Sequence, residues 1–270
     1  MIIARQKEEY ENYQPKILYP ADFNDYWLEG IMDSEDSRMK TERVDIANPF
    51  GIYENMTLWQ KGGEITARVI RPAEKGSFPT VFFFHDLGRG IRGWQHMMRF
   101  LALNYAVVAM DNHLPSYAIV TEHSFSDLER CYRNALLLVR QMKVKDYVDE
   151  ERLIFWGEGF GGSLAVAAAS FEGEKAHCAV HNPVLADCRR IFAEAGKEYP
   201  KTGDYLDLVN FAKSLKGNFL LGTGLMDDVA DVRAQYALYH AVIGKKRHLT
   251  YPKYGHERNN FFENEFLRFC

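Results

Sequence analysis

The stretch Leu153-Ile-Phe-Trp-Gly-Glu-Gly-Phe-Gly-Gly-Ser163 decides the fold. Its first four residues are apolar and of types that favour a buried strand, and the glycines that follow indicate a tight turn. The alanine-rich run from Leu164 to Ser170 then favours a helix. Strand, tight turn and helix in this order are typical of a nucleophile elbow, G-x-S-x-G. Here the motif is Gly157-Glu-Gly-Phe-Gly161, so glycine stands where the nucleophilic serine is expected.

Strand-like and helix-like segments alternate on both sides of this stretch. Upstream, Thr80-Val-Phe-Phe-Phe-His85 is an apolar run typical of a strand that is covered on both faces. The alternation predicts an α/β fold with a doubly wound, mostly parallel sheet. The other predicted strands are 105–111, 152–156, 176–181, 218–222 and 248–251, and the predicted helices are 94–103, 127–142, 160–171, 231–243 and 260–269.

Two segments stand outside this alternation. Residues 1–40 are predicted to form an N-terminal helical extension, with a helix that starts at Asp22 or Asn24, and residues 183–216 are predicted to form a small helical cap. We interpret residues 1–270 as a single α/β-hydrolase domain. Antiparallel strands are predicted at one sheet edge over 43–48, 56–60 and 65–71, with a hairpin turn at 61–64.

Composition excludes several classes of protein. A net charge of −4 without a basic run argues against a nucleic-acid partner. Charged residues interrupt the stretch Met1 to Tyr10, and no window is apolar enough to span a bilayer, so we expect a cytoplasmic protein without a membrane partner. The four cysteines have no C-x-x-C spacing, so neither a zinc knuckle nor a redox pair is indicated, and no cofactor is predicted.

The ligand is expected beyond the carboxyl ends of the parallel strands, where connecting loops and helix N-termini converge. The glycine turn, Asp227 and His256 occur in the chain order nucleophile, Asp, His. The His256 imidazole would accept a proton, and Asp227 would orient the ring. Other titratable residues predicted to line the same pocket are His85, Asp86, Asp111, His113 and His181.

The chain resembles the acetyl xylan esterases of the cephalosporin C deacetylase type. These α/β-hydrolases remove acetyl groups from small oligosaccharides and from the antibiotic cephalosporin C. The matching stretches span nearly the whole chain, and the most specific are Gly224-Leu-Met-Asp-Asp228 and Tyr251-Pro-Lys-Tyr-Gly-His-Glu257. The resemblance implies a small acetylated carbohydrate or ester-like ligand and a homo-oligomer.

The same resemblance assigns roles to individual residues. Asp227 and His256 take the positions of the acid and the base, and Gly159 takes the position of the nucleophile. The backbone amides of Leu87 and Phe160 would line the oxyanion hole.

The departures from the family pattern cluster around this site. The family has serine where Gly159 stands and tyrosine where Leu87 stands. Its D-x-R-G-x-G turn is here Asp111-Asn-His-Leu-Pro-Ser116, and two prolines after the acid are replaced around Ala230-Asp231. Without a side-chain oxygen at the turn no acyl-enzyme can form. The sequence therefore predicts a protein that is inactive or only binds a ligand.

Two alternatives remain at this level. The first is an active hydrolase with a different, metal-assisted site, because imidazole and carboxylate groups can hold zinc or manganese. Its ligands would come from His85, Asp86, Asp111, His113, His181 and Asp227. The second is a structural or oligomerisation protein. Neither Ser163, one turn into the helix, nor Glu158, beside the turn, is expected to replace the nucleophile.

Overall fold

The computed structural model describes residues 8–32, 37–114 and 125–270. Residues 1–7, which begin the charged N-terminal stretch, lie outside the described residues. So do residues 115 and 116, which end the turn that starts at Asp111.

One mixed sheet runs through the described part of the chain. Its strands are β1 (Arg38–Arg43), β2 (Gly51–Gln60), β3 (Gly63–Pro72), β4 (Phe78–Phe84), β5 (Ala106–Met110), β6 (Val148–Glu158), β7 (Ala176–His181), β8 (Phe219–Gly224) and β9 (Lys246–Tyr251). The spatial order is β1-β2-β3-β5-β4-β6-β7-β8-β9. The pairs β1–β2, β2–β3 and β3–β5 are antiparallel, and all later pairs are parallel. The prediction of a mostly parallel sheet with antiparallel N-terminal strands is confirmed.

Helices cover both faces of this sheet. They are α1 (Phe23–Met32), α2 (Trp94–Leu101), α3 (Phe125–Lys143), α4 (Phe160–Ser170), α5 (Cys188–Glu194), α6 (Gly203–Leu206), α7 (Leu208–Ala212), α8 (Val232–Ala241) and α9 (Asn260–Phe269). Side chains of α1, α3, α4, α7 and α8 share one buried cluster, and those of α2 and α9 belong to a second. The two clusters make the fold doubly wound.

Continuous burial explains the apolar runs in the central strands. Every residue of β4 and β5 is buried. Phe82 stacks on Phe155 in the first cluster, whereas Phe83 stacks on Trp156 in the second. Alternate side chains of one strand therefore enter opposite cores, as a parallel sheet covered on both faces requires.

The prediction of a strand over 43–48 is wrong. The first strand is β1, and residues 44–48 lie in no strand. β1 is a polar edge strand whose side chains are mostly exposed, so it shows no apolar alternation. After it, the Asp45 carboxylate accepts the N–H of Ala47, which has a φ of 53°, and the chain turns. The apolar residues Val44 and Ile46 pack against the core but belong to no strand.

The turn between β6 and α4 brings a helix very close to a strand. A Cβ atom at Gly161 would lie 2.1 Å from the carbonyl oxygen of Phe84. Only glycine permits this approach, which places the N-terminus of α4 beside the carboxyl end of β4.

The segment 183–216 contains the three short helices α5, α6 and α7. α6 contacts α3, and α7 contacts α4 and α8. Helix α1 packs on the same segment, because Trp27 Nε1 donates to the carbonyl of Tyr205 at 3.2 Å and the Tyr26 and Tyr205 rings stack at 4.0 Å. Within the described ranges, no helix has the length and apolar character that crossing a bilayer requires.

Candidate active site

Gly159 forms the sharp corner between β6 and α4. Its φ of 53° and ψ of −124° correspond to the first corner of a type II′ turn, which L-amino acids with a side chain rarely adopt. Its N–H donates to the carbonyl of His181 at 2.9 Å, and its carbonyl accepts the N–H of Ser163 at 3.3 Å. The corner is therefore a nucleophile elbow in its backbone, but it carries no side-chain oxygen.

Asp227 and His256 form a hydrogen-bonded pair beyond the ends of β8 and β9. His256 Nδ1 donates to Asp227 Oδ2 at 2.8 Å. Asp227 Oδ1 accepts the N–H groups of Val229 at 2.9 Å and Ala230 at 2.8 Å, and its side chain has no exposed surface. These bonds fix the carboxylate, so the imidazole is oriented as in a triad.

Asp86 occupies the space between this pair and the elbow. Its Oδ1 accepts the N–H of Leu87 at 2.8 Å and the N–H of Phe160 at 3.0 Å. Its Oδ2 lies 3.3 Å from His256 Nε2. The two amides that the family resemblance assigns to the oxyanion hole thus bind a carboxylate of the same chain.

The two carboxylates determine the charge of His256. Burial opposes the imidazolium, but hydrogen bonds to Asp227 and Asp86 outweigh it and raise the pKa of His256 to about 9. The ring is therefore protonated at neutral pH and cannot accept another proton.

This pKa predicts a pH dependence of stability. A folded-state pKa of about 9, against 6.5 for the free group, stabilises the fold fully below pH 6.5. The contribution, about 3 kcal/mol, is lost as pH rises through 9. We expect the free energy of unfolding in urea, measured from pH 6 to pH 10, to fall more steeply for the parent than for His256→Gln. Parallel curves for the two proteins would contradict this expectation.

A second polar group lies beside the Asp86 backbone and consists of His85, Asp111 and His113. His85 Nδ1 donates to the Asp86 carbonyl at 2.7 Å, and His85 Nε2 lies 3.1 Å from Asp111 Oδ1. The hydrogen bond from His85 is the main reason why the pKa of Asp111 falls to about 2, although burial opposes it. His113 is more than half exposed, and its Nε2 lies 2.8 Å from Thr66 Oγ1. His85 thus supports the Asp86 loop, whereas His113 borders solvent.

His181 lies at the end of β7 and is buried. Its ring stacks on Phe262 with the centroids 5.0 Å apart. Burial and the neighbouring His256 lower the pKa of His181 to about 3, so this ring is neutral at neutral pH. The structure places it near His256, with its ring packed in the core.

The residues considered for a metal-assisted site do not fit one. Among residues 8–32, 37–114 and 125–270, no group of three or more His, Cys, Asp or Glu side chains is placed to hold a metal ion. Asp227 is hydrogen-bonded to amides and to His256, and His181 packs on an aromatic ring. The alternative of a metal-assisted hydrolase therefore has no ligand set in the described structure.

Ser163 and Glu158 both point away from the site. Ser163 is fully buried, and its hydroxyl donates to the carbonyl of Val184 at 2.6 Å. Glu158 is buried and pairs with Arg92 Nη2 at 2.8 Å and Arg89 Nη1 at 3.4 Å. Neither side chain can replace the missing nucleophile.

Sequence reasoning missed Arg89. This residue joins two parts of the site, because Nε lies 3.5 Å from Asp86 Oδ2 and Nη2 donates to the His256 carbonyl at 2.8 Å. Its Nη1 lies 3.4 Å from Glu158, outside the site. The signal in the sequence was an arginine inside the glycine-containing loop Leu87-Gly-Arg-Gly90, directly after a buried strand.

Comparisons with known proteins identify the family and the fold. The sequence matches the profile of the acetyl xylan esterase family (AXE1) over residues 2–118, 119–201 and 192–270. Acetyl xylan esterase 1 from Thermoanaerobacterium sp. JW/SL YS485 is 22% identical, with a TM-score of 0.83 over 97% of this chain and 96% of that one. The acetyl xylan esterase from Paenibacillus sp. R4 is 19% identical, with a TM-score of 0.83 over 97% of this chain and 98% of that one.

A more distant similarity has the same fold. The acylaminoacyl peptidase of Pyrococcus horikoshii is 15% identical, with a TM-score of 0.56 over 84% of this chain and 47% of that one. The profile covers the chain nearly from end to end, and both acetyl xylan esterase structures superpose along almost their whole length. The chain belongs to the acetyl xylan esterase family.

Proposed function

We propose that this protein uses the acetyl xylan esterase fold to bind a small acetylated carbohydrate or ester-like ligand without hydrolysing it. The observation that carries the proposal is the elbow itself. Gly159 stands at the corner where the nucleophile belongs, with a φ of 53°, and offers no oxygen for an acyl-enzyme.

The state of His256 supports the same proposal. With the pKa of His256 raised to about 9, the ring is already protonated at neutral pH and cannot activate water as a general base. The amides of Leu87 and Phe160 also donate to Asp86, so they are not available to stabilise an oxyanion. Nucleophile, base and oxyanion hole are thus all unsuited to ester hydrolysis.

A kinetic comparison tests the absence of turnover. We expect the parent and His256→Gln to hydrolyse p-nitrophenyl acetate at the same rate, close to that of buffer, because no step depends on the imidazole. A parent rate that exceeds the His256→Gln rate by about tenfold or more would correspond to over 1.4 kcal/mol of catalysis and would overturn the proposal.

A binding comparison tests the ligand. His113 lies beyond the carboxyl end of β5. His177 lies at the amino end of β7, and therefore at the opposite end of the parallel strands. We expect His113→Ala to weaken binding of an acetylated xylo-oligosaccharide about tenfold in calorimetry, and His177→Ala to leave it unchanged. Equal effects of the two variants, or no binding by the parent, would contradict a ligand site at this rim.

The cysteines support a cytoplasmic location. All four, Cys131, Cys178, Cys188 and Cys270, are free thiols, and the first three are buried. Unpaired cysteines are usual where glutathione and thioredoxin keep thiols reduced. We therefore propose a cytoplasmic location.

A further inference from the structure

The carboxylate of Asp86 lies where a bound acyl group would lie in a working site of this kind. Oδ1 accepts the amides of Leu87 at 2.8 Å and Phe160 at 3.0 Å, which is the position of an oxyanion. Oδ2 lies 3.3 Å from His256 Nε2, which is the position of a nucleophilic oxygen. In a working esterase site, the first position would hold the substrate's oxyanion and the second would hold the serine oxygen. The Asp86 carboxylate takes both positions.

Several neighbouring groups stabilise the buried carboxylate of Asp86. Asp86 is only 2% exposed, and a buried charge is tolerated only with strong partners. Besides the two amides, the cationic groups of His256 and Arg89 lie 3.3 Å and 3.5 Å from Oδ2. The backbone is fixed as well, because His85 donates to the Asp86 carbonyl at 2.7 Å.

The glycine at the elbow complements this arrangement. A serine oxygen at position 159 would have to lie within hydrogen-bond reach of His256 Nε2, where Asp86 Oδ2 now lies. The carboxylate and a serine hydroxyl would therefore compete for the same space. The acid at position 86 and the glycine at position 159 are compatible with each other, and each replaces part of the esterase site.

We infer that Asp86 is an internal carboxylate ligand that fills the acyl subsite, and that removing its side chain opens a binding site for a small monocarboxylate such as acetate. This inference concerns the same site as the proposed function. It rests on that proposal in one respect, which is that the site does not hydrolyse an ester. An external acyl or carboxylate group reaches the two amides only by displacing Asp86. Because Asp86 is attached to the chain, its effective concentration at the subsite is high.

Thermal unfolding with added acetate tests this inference. We expect the Tm of Asp86→Ala to rise by about 2–4 °C in roughly 100 mM sodium acetate, relative to sodium chloride or acetamide at the same concentration. The parent should not respond, because its subsite is filled. The matched control is Asp111→Ala, which removes a nearby carboxylate that lies 3.1 Å from His85 Nε2 but leaves the amides bound to Asp86, and it should not respond either.

Two results of the acetate experiment would overturn the inference. One is an equal acetate response in the parent and in Asp86→Ala, and the other is no response in a folded Asp86→Ala. If Asp86→Ala does not fold, Asp86→Asn keeps the shape without the charge, and NMR should show a His256 pKa below that of the parent. An unchanged His256 pKa in Asp86→Asn would also count against it. Ester hydrolysis by the parent would refute the proposed function alone and would leave the acetate results to be judged separately.

Discussion

Replacing Gly159 by serine and Asp86 by glycine together is expected to create hydrolysis of p-nitrophenyl acetate at least about 10²-fold faster than either replacement alone. Gly159→Ser supplies a nucleophile, but Asp86 still occupies the amides and the place beside His256 Nε2. Asp86→Gly frees the amides, but it leaves the elbow without an oxygen. Only the pair of changes provides both groups.

The removal of Asp86 should also restore the base. Asp86 is one of the two carboxylates that raise the pKa of His256 to about 9. Without it, only Asp227 favours the imidazolium, so the pKa should fall towards the range in which a histidine accepts a proton from serine. The serine is expected to cost on the order of 1–3 kcal/mol of stability, because a side chain is held at positive φ.

The matched control for this gain of activity is Gly159→Ala with Asp86→Gly. It carries a Cβ atom at the elbow and free amides, but no hydroxyl, and should remain at the background rate. If Gly159→Ser alone were as active as the double variant, Asp86 would not block the site. If the double variant were silent, the site would have departed from esterase geometry beyond these two residues.

Asp207→Ala is expected to destabilise the fold by about 4 kcal/mol or more. Asp207 is 4% exposed, and its carboxylate accepts three backbone N–H groups, from Asp187 at 2.8 Å, Cys188 at 2.7 Å and Val209 at 3.1 Å. It thereby caps α7 and ties the start of α5 to it. Alanine would leave three buried donors without this acceptor.

Urea unfolding of a short series measures this contribution. Asp207→Asn keeps one carbonyl oxygen, so its free energy of unfolding should lie between those of the parent and Asp207→Ala. Asp45→Ala is the control, because Asp45 is exposed and accepts a single backbone N–H, from Ala47 at 2.9 Å. It should cost about 1 kcal/mol or less. A loss in Asp207→Ala no larger than that in Asp45→Ala would refute the structural role.

The fold could be predicted because its strongest signals are local. The buried strands β4 and β5 are continuous apolar runs, and the turn at Gly159 is a compact motif between a strand and an alanine-rich helix. β1 could not be predicted in the same way, because a polar edge strand is stabilised by its neighbour's backbone and not by an apolar pattern. The predicted start of this strand, at residue 43, is therefore five residues later than the observed start at Arg38.

The candidate site could be predicted only in part. Chain order alone identified Asp227 and His256, which the structure joins at 2.8 Å. The direction of the Asp86 carboxylate depends on the backbone of its loop and on the helix N-terminus at Phe160, far away in sequence. Nothing in the residue pattern fixes that direction, so the sequence predicts Asp86 as a pocket residue but does not predict its bonds to the amides of Leu87 and Phe160.

Covalent trapping tests the central claim most directly, namely that this site forms no acyl-enzyme. The parent, and the double variant Gly159→Ser with Asp86→Gly, would be incubated with a fluorophosphonate and examined by intact-protein mass spectrometry. We predict an unmodified parent and a double variant that carries one phosphonyl group on the new elbow hydroxyl. A phosphonyl adduct on the parent that disappears in His256→Gln would contradict the account.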